Sequence, residues 1–241
     1  MQHERVDLEP SFIIHQRRYR ETSLIVEVLT RDHGRVGLVA RGARGPAARK
    51  RFTLSPFIAL LLSWSSRADL GTLTQVETPR ALPPLSADRL VSGLYLNELV
   101  YRLCARRDPY PEVFSAYAVA LAGLREAPQV EAVLRVFELN LLDAIGYALM
   151  LDTEADTGRA IVPEQTYIYV PEQGPVPVMD GAAAGHLTVS GRTLLGLASE
   201  DLTSKAVLAE AKKLMRSMLT HHLGPRPLAT REMFAPFRRP K

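Results

Sequence analysis

Residues 22–40, TSLIVEVLTRDHGRVGLVA, contain two runs of β-forming residues joined by a short turn. The first run is rich in β-branched side chains, which favour strands. The turn lies at residues 32–34, and beyond it Val36, Leu38 and Ala40 alternate with residues of the opposite face. This alternation is typical of a strand that turns one face towards a core. The stretch therefore predicts a β-hairpin at the centre of an all-β region.

Further short β-rich runs flank this hairpin, at residues 12–14, 56–64 and 73–78, with turn signals between them. Five short strands separated by turns are typical of a small closed barrel. The oligonucleotide-binding (OB) fold is a five-stranded barrel of this kind. The sequence therefore predicts an OB-fold β-barrel over residues 1–80.

The pattern changes at three closely spaced prolines in the segment 79–84, which stop any strand or helix. Beyond them apolar residues recur at helical spacing, and Pro111 and Pro128 suit the first turns of helices. We therefore predict an α+β protein, with the N-terminal barrel followed by a mainly α-helical C-terminal domain over residues 81–241. A small irregular or hairpin insertion is expected near 152–180.

Composition favours an ordinary globular protein, with 46% hydrophobic and 23% charged residues. The longest apolar run, residues 57–62, is far too short to span a bilayer, and the N-terminus lacks the apolar core of a signal peptide. The single cysteine, Cys104, cannot form an intramolecular disulfide, which indicates a reducing compartment. We expect a cytoplasmic protein that makes no membrane contact.

Positive charge is concentrated in the predicted barrel. Residues 1–80 carry 13 Lys and Arg against 8 Asp and Glu, and the segment 41–51 contains five cations and no acid. A solubilising loop is the alternative interpretation, but such loops usually mix both signs of charge. Cations bind phosphates, and aromatic rings near them can stack bases of a single strand. The predicted nucleic-acid-binding residues are Arg17, Arg18, Tyr19, Arg35, Arg41, Arg44, Arg49, Lys50 and Arg51.

No pattern in the sequence supports catalysis or metal binding. The basic loop fails the spacing of a phosphate-binding P-loop, because Lys50 occupies a required glycine position. The alternating acids at residues 152–156 lack the glycine and glutamate of a calcium loop. The histidines are too scattered for zinc, and no nucleophile motif is present. We predict a protein that is not an enzyme and has no catalytic residue, metal or cofactor.

The helical region contains a second candidate site. Arg135 lies within an apolar run, and Lys212 and Lys213 precede Leu214 and Met215. A cation beside an apolar groove can bind an acidic, hydrophobic peptide or its terminal carboxylate. Surface charges that flank core residues produce the same pattern, so the sequence leaves both interpretations open.

Four segments together resemble the RecO family of bacterial recombination mediators. They are ETSLIVEVLTRDHGRVGLVARGARG (residues 21–45), SGLYLNELVYRL (92–103), RVFELNLLDAIGY (135–147) and LGPRPLATREMF (223–234). The resemblance implies an OB-fold followed by a helical domain, and a role in DNA repair. Members of this family bind single- and double-stranded DNA and anneal complementary strands. With RecR they help RecA to replace the single-strand-binding protein on gapped DNA.

The resemblance also implies a protein partner for the helical region. In this family the helical domain binds the acidic, Phe-ended C-terminal tail of the single-strand-binding protein, which makes Arg135, Lys212 and Lys213 candidate tail-binding cations. Some relatives carry a four-cysteine zinc module where residues 152–178 lie here. This chain has no cysteine there, so packing of Tyr167, Tyr169 and other apolar side chains is expected instead.

Two other classes of function stay open on the residues alone. An RNA-associated OB-fold protein fits the barrel equally well, because the basic residues do not distinguish DNA from RNA. A nuclease would need clustered carboxylates for magnesium, and the acidic group at residues 152–156 is the candidate for them.

Overall fold

The structure is a computed structural model, and it describes residues 4–44, 54–80, 82–178 and 186–234. The chain forms two compact units. One consists of Met1–Arg125 together with Leu228–Lys241, and the other consists of Glu126–Pro227.

The first unit contains a closed five-stranded barrel with the strand order β1-β2-β3-β5-β4. Neighbouring strands are antiparallel except β3 and β5, which are parallel, and β4 pairs with β1 to close the barrel. The predicted α+β class with an N-terminal OB-fold barrel is confirmed. The strands are β1 (Glu4–Tyr19), β2 (Ser23–Thr30), β3 (Arg35–Ala40), β4 (Leu60–Ser66) and β5 (Leu70–Glu77).

The hairpin of residues 22–40 supplies much of the barrel interior. Val26 faces Leu38 and Val28 faces Val36 across the β2–β3 register, and all four side chains are buried. Their period of two follows from the alternation of side chains along a strand. Trp64 from β4 lies in the same core, as a large apolar side chain and not as an exposed stacking surface.

The helices within the described residues are numbered in chain order. In the barrel's unit, α1 spans Ala87–Leu103 and α2 spans Pro111–Glu126. In the second unit, α3 spans Val130–Ala144, α4 spans Gly191–Ala198 and α5 spans Lys205–Leu223. The last, α6 (Ala229–Phe234), belongs to the barrel's unit. The domain boundary placed after residue 80 stays a prediction.

The connection between α1 and α2 packs closely against the β2–β3 turn. The backbone N–H of Arg107 donates to the carbonyl of Arg35 at 3.0 Å. Gly34 has a φ of +65°, and a Cβ at this position would lie 2.1 Å from the carbonyl oxygen of Asp108. Glycine is therefore required at this turn, both for its positive φ and for the close approach of the Asp108 backbone.

The second unit also contains a small three-stranded sheet in the order β7-β6-β8, formed by β6 (Thr166–Val170), β7 (Gly174–Pro177) and β8 (Thr188–Ser190). The hairpin of β6 and β7 lies within the segment where the sequence predicts one. Tyr167 and Tyr169 are buried, and burial raises the pKa of Tyr169 to about 12. The two rings therefore pack in the interior, and the Tyr167 hydroxyl accepts from the backbone N–H of Val162 at 2.9 Å.

Candidate nucleic-acid interface

The cations predicted on β1 and after β3 lie at the same end of the barrel. At the end of β1, Arg18 pairs in register with Leu24, and Leu24 pairs with Ala40 at the end of β3. Arg17 precedes this position on β1, and Arg41 follows it after β3. The strand register therefore brings together residues that are more than twenty positions apart in sequence.

Arg44 ties the start of the basic loop to the β1–β2 turn. Its guanidinium donates to the carbonyl of Glu21 at 3.2 Å, and its backbone N–H donates to the carbonyl of Thr22 at 2.9 Å. The guanidinium of Arg20, in the turn itself, lies 5.2 Å from the centroid of the Tyr19 ring. We call the resulting group the basic end: Arg17, Arg18, Arg20, Arg41 and Arg44.

The basic end is exposed and is not neutralised locally. All five of its arginines are exposed, and Tyr19 is half-buried. Within the described ranges, no carboxylate forms an ion pair with Arg17, Arg18 or Arg41. A group of exposed cations without acidic partners attracts counterions, which a polyanion releases on binding. The arrangement is therefore suited to phosphate contacts.

Three further predicted cations, Arg49, Lys50 and Arg51, lie outside the described residues. Their role in nucleic-acid binding stays a prediction.

Arg35 lies away from the basic end, at the start of β3, and its side chain is only 14% exposed. It donates from Nη1 to Glu27 at 3.4 Å and from Nε to the carbonyl of Cys104 at 3.1 Å. Arg106 binds the other carboxylate oxygen of Glu27. Arg35 therefore joins the barrel to the end of α1. Its role in nucleic-acid binding stays a prediction.

The cations predicted in the helical region each lie beside an acidic side chain. Arg135 is buried and forms a two-point ion pair with Glu138, with Nε donating to Oε2 at 2.7 Å. The Lys212 ammonium binds the carboxylate of Glu131, and so connects α5 with α3. Lys212 and Lys213 are exposed, whereas Arg135 is not. One of the three predicted cations is therefore buried, and the other two are accessible to solvent.

Glu210, which the sequence gives no reason to select, forms a polar centre at the start of α4. Its Oε2 accepts from the Ser190 backbone N–H at 3.0 Å and from the hydroxyls of Ser190 and Thr193, each at 2.7 Å. Partial burial acts to raise the pKa of Glu210, but these bonds and the charge of Lys213 outweigh it. The pKa of Glu210 is therefore below its usual value.

A cavity of about 220 Å³ opens in the second unit beside α5. Its lining includes Met150, Tyr169 and Met218, and Tyr147 stacks on His222 with 4.1 Å between ring centroids. Burial and the neighbouring His221 lower the pKa of His222, which favours the neutral ring. No sequence motif marks this cavity, because its lining comes from three separate segments.

Neither a metal centre nor a membrane span is found in the part of the chain that the structure describes. Within residues 4–44, 54–80, 82–178 and 186–234, no three His, Cys, Asp or Glu side chains are grouped to hold a metal ion. No helix among these residues is long and apolar enough to cross a bilayer.

Cys104 is buried and unbonded, and burial raises its pKa to about 12.

The barrel topology and its basic end define an OB-fold protein with a surface suited to nucleic acid. Residues 8–81 match the family described as Recombination protein O N terminal, and residues 85–232 match Recombination protein O C terminal. The chain therefore belongs to the RecO family of DNA repair proteins.

Individual relatives are similar over nearly their whole length. The DNA repair protein RecO of Nitrosococcus oceani is 45% identical over 235 residues, which are 98% of this chain and 95% of the relative. The RecO protein of Aromatoleum aromaticum is 43% identical over 96% of each chain. That of Methylococcus capsulatus is 44% identical over 95% of this chain and 93% of its own.

Proposed function

We propose that this chain binds single- and double-stranded DNA at its basic end and anneals complementary strands. The observation that carries the proposal is the grouping of Arg17, Arg18, Arg41 and Arg44 by the β1–β2–β3 register. Membership of the RecO family supports DNA over RNA as the ligand. The role of Arg49, Lys50 and Arg51 in binding DNA stays a prediction from the sequence.

Annealing of this kind needs no bond-making residue. Two DNA strands repel each other through their phosphates, and a surface that neutralises phosphates on both strands lowers this barrier. Exposed guanidinium groups supply that neutralisation without a catalytic acid, base or nucleophile. We therefore propose a non-enzymatic mediator that acts in the cytoplasm on nucleoid DNA and, with RecR, helps RecA to replace the single-strand-binding protein.

The tail of the single-strand-binding protein is the proposed ligand of the helical region. Lys212 and Lys213 are accessible to acidic residues of the tail. The exposed ion pair of Lys212 with Glu131 contributes on the order of 1 kcal/mol or less, so a tail carboxylate can replace it at little cost. The buried pair of Arg135 with Glu138 is far harder to exchange. Lys212 and Lys213 are therefore the primary candidates, and Arg135 is a secondary one.

The annealing proposal is tested by replacing Arg17, Arg18, Arg41 and Arg44 with glutamine together. We expect the rate of annealing of two complementary DNA strands to fall at least tenfold, because the phosphates are no longer neutralised. The matched control replaces the exposed arginines Arg5, Arg31, Arg67 and Arg80 of the same barrel, and so removes the same charge.

Equal loss of annealing in both variants would contradict the proposal, since net charge alone would then explain the activity. An RNA oligonucleotide of the same sequence serves as competitor. If RNA competed better than DNA, the RNA-associated alternative would replace the DNA-repair proposal.

A further inference from the structure

An exposed aromatic ring lies on the outside of the barrel, close to β1. Tyr101 of α1 is 39% exposed, although two side chains contact it. The Arg35 guanidinium lies 4.8 Å from the centroid of its ring, and the His15 ring centroid lies 5.4 Å away. Contacts of this kind hold an aromatic ring in one orientation while part of its surface stays open to solvent.

His15, Arg17 and Tyr19 continue from this ring along the outer face of β1. Their register partners on β2 are Glu27, Ile25 and Ser23, whereas the intervening Gln16 and Arg18 pair with the core-facing positions Val26 and Leu24. Alternate residues of a strand share one face and follow at about 6.6 Å. Three rings and one cation therefore follow one another from Tyr101 towards the basic end, in the order Tyr101, His15, Arg17 and Tyr19.

The acidic residue on this face does not oppose the binding of phosphate. The side chain of Glu27 is only 5% exposed, and its carboxylate is bound by both Arg35 and Arg106. Two guanidinium groups on one carboxylate leave a net positive charge at this point. The cations Arg35 and Arg106 beside Glu27, and Arg17 on β1, therefore leave this side of the barrel with a net positive charge.

We propose that Tyr101, His15, Arg17 and Tyr19 form an aromatic track for single-stranded nucleic acid. The rings stack unpaired bases, and Arg17 neutralises a phosphate between them. The track rests on the proposed function, since it extends the basic end along the outer face of β1. The track adds a preference for single-stranded over double-stranded nucleic acid, because bases paired in a duplex are not available for stacking. Phosphate contacts alone cannot give this preference.

The test compares an oligothymidylate with an abasic strand of equal length, using the full chain and the variants Tyr101→Leu and Tyr101→Phe. Loss of one stacking contact is expected to weaken oligothymidylate binding about fivefold to a hundredfold in Tyr101→Leu. Binding of the abasic strand and the salt dependence should not change, and Tyr101→Phe should bind as the unaltered protein does. Tyr147→Leu, which removes an exposed ring of the other unit, is the matched control.

Equal weakening for both strands, or no weakening, would overturn the aromatic track. If the unaltered protein bound neither strand, the proposed function itself would fail instead. Photocrosslinking of the unaltered protein to a strand containing 5-iododeoxyuridine gives a second readout that does not depend on a variant. A crosslinked peptide that contains Tyr101 supports the track, and crosslinks confined to peptides without Tyr101, His15 or Tyr19 contradict it.

Discussion

Single residues of this chain act mainly through partners that are distant in sequence. The clusters of cations at residues 17–20 and 41–51 are visible in the sequence, so Arg17, Arg18, Arg41 and Arg44 are predicted from it as nucleic-acid-binding residues. Their grouping at one end of the barrel depends on the strand register. The sequence is not sufficient for Arg35, since its contacts with Cys104 and Tyr101 depend on how α1 packs on the barrel. Tyr101 is missed for the same reason, because on the helix alone it resembles any half-buried tyrosine.

The carboxylate of Glu210 gives a pH dependence at the residue scale. Its pKa in the folded protein lies below the ordinary value of 4.5, so the unfolded chain takes up the proton first as the pH falls. The stabilisation is complete above that ordinary value and is lost as the pH falls through the folded-state pKa. We expect Glu210→Gln to lower the free energy of unfolding at about pH 7 and to have much less effect at about pH 3.

Urea unfolding of Glu210→Gln and of the unaltered protein at both pH values measures this difference. Glu200→Gln, at an exposed position in the same unit, is the control. A destabilisation of Glu210→Gln that stayed the same from neutral to acid pH would show that the carboxylate charge contributes nothing.

The sequence predicts a strand or helix well where the element's own residue pattern defines it. It predicts poorly where the bounds of an element depend on pairing with another strand. The β2–β3 hairpin and α2, which begins at Pro111, follow from local pattern. Pro128 is not in the first turn of a helix as predicted, because α3 begins at Val130 with Gln129 as its N-cap. β1 is longer than the short run at 12–14 suggests, because it pairs with β4 through its first half and with β2 through its second. Register shifts between Val6 and Glu9 and between Ile13 and His15 interrupt its alternation and hide the strand in the sequence.

The attachment of α6 to α1 is an element-scale feature that no local motif shows. The carboxylate of Glu98 in α1 accepts from the backbone N–H groups of Ala229 and Thr230, at 2.8 and 2.9 Å, and from the Thr230 hydroxyl at 2.6 Å. A carboxylate at a helix N-terminus satisfies donors that have no partner within the helix. Glu98 therefore supplies the N-terminal cap of α6 across more than a hundred residues.

Replacing Glu98 with alanine should release α6 from α1. Loss of a helix cap costs about 1 kcal/mol, so we expect amide hydrogen exchange in residues 229–234 to become several times faster. Exchange in β2 and β3 should not change. Glu112→Ala, in the first turn of α2, is the control, and unaltered exchange of α6 in Glu98→Ala would contradict the capping role.

At the scale of the whole molecule, the two compact units carry different proposed ligands. The first contains the basic end and the aromatic track, and the second contains the exposed Lys212 and Lys213. The sequence alone supports nucleic-acid binding by the first unit, whereas the peptide-binding role of the second comes from the family resemblance. Charge pattern cannot separate a buried cation such as Arg135 from an accessible one, because burial depends on tertiary packing.

The proposed peptide site predicts a specific loss of partner binding. We expect the double variant Lys212→Glu, Lys213→Glu to lose capture of the single-strand-binding protein, because the new carboxylates repel its acidic tail. DNA binding should be retained. Lys205→Glu, on the same helix, is the control, and pull-downs with the partner lacking its tail complete the test. Capture that persists without the tail would contradict the proposal.

The salt dependence of single-stranded DNA binding tests most directly whether the basic end holds the phosphates of a bound strand. Each neutralised phosphate contributes about 0.7 to the slope of log affinity against log salt concentration. Replacing Arg17, Arg18, Arg41 and Arg44 with glutamine should therefore reduce the magnitude of the slope by about 3. The variant of Arg5, Arg31, Arg67 and Arg80 should keep the slope of the unaltered protein. A slope that is unchanged in the first variant, or reduced equally in both, would contradict this role of the basic end.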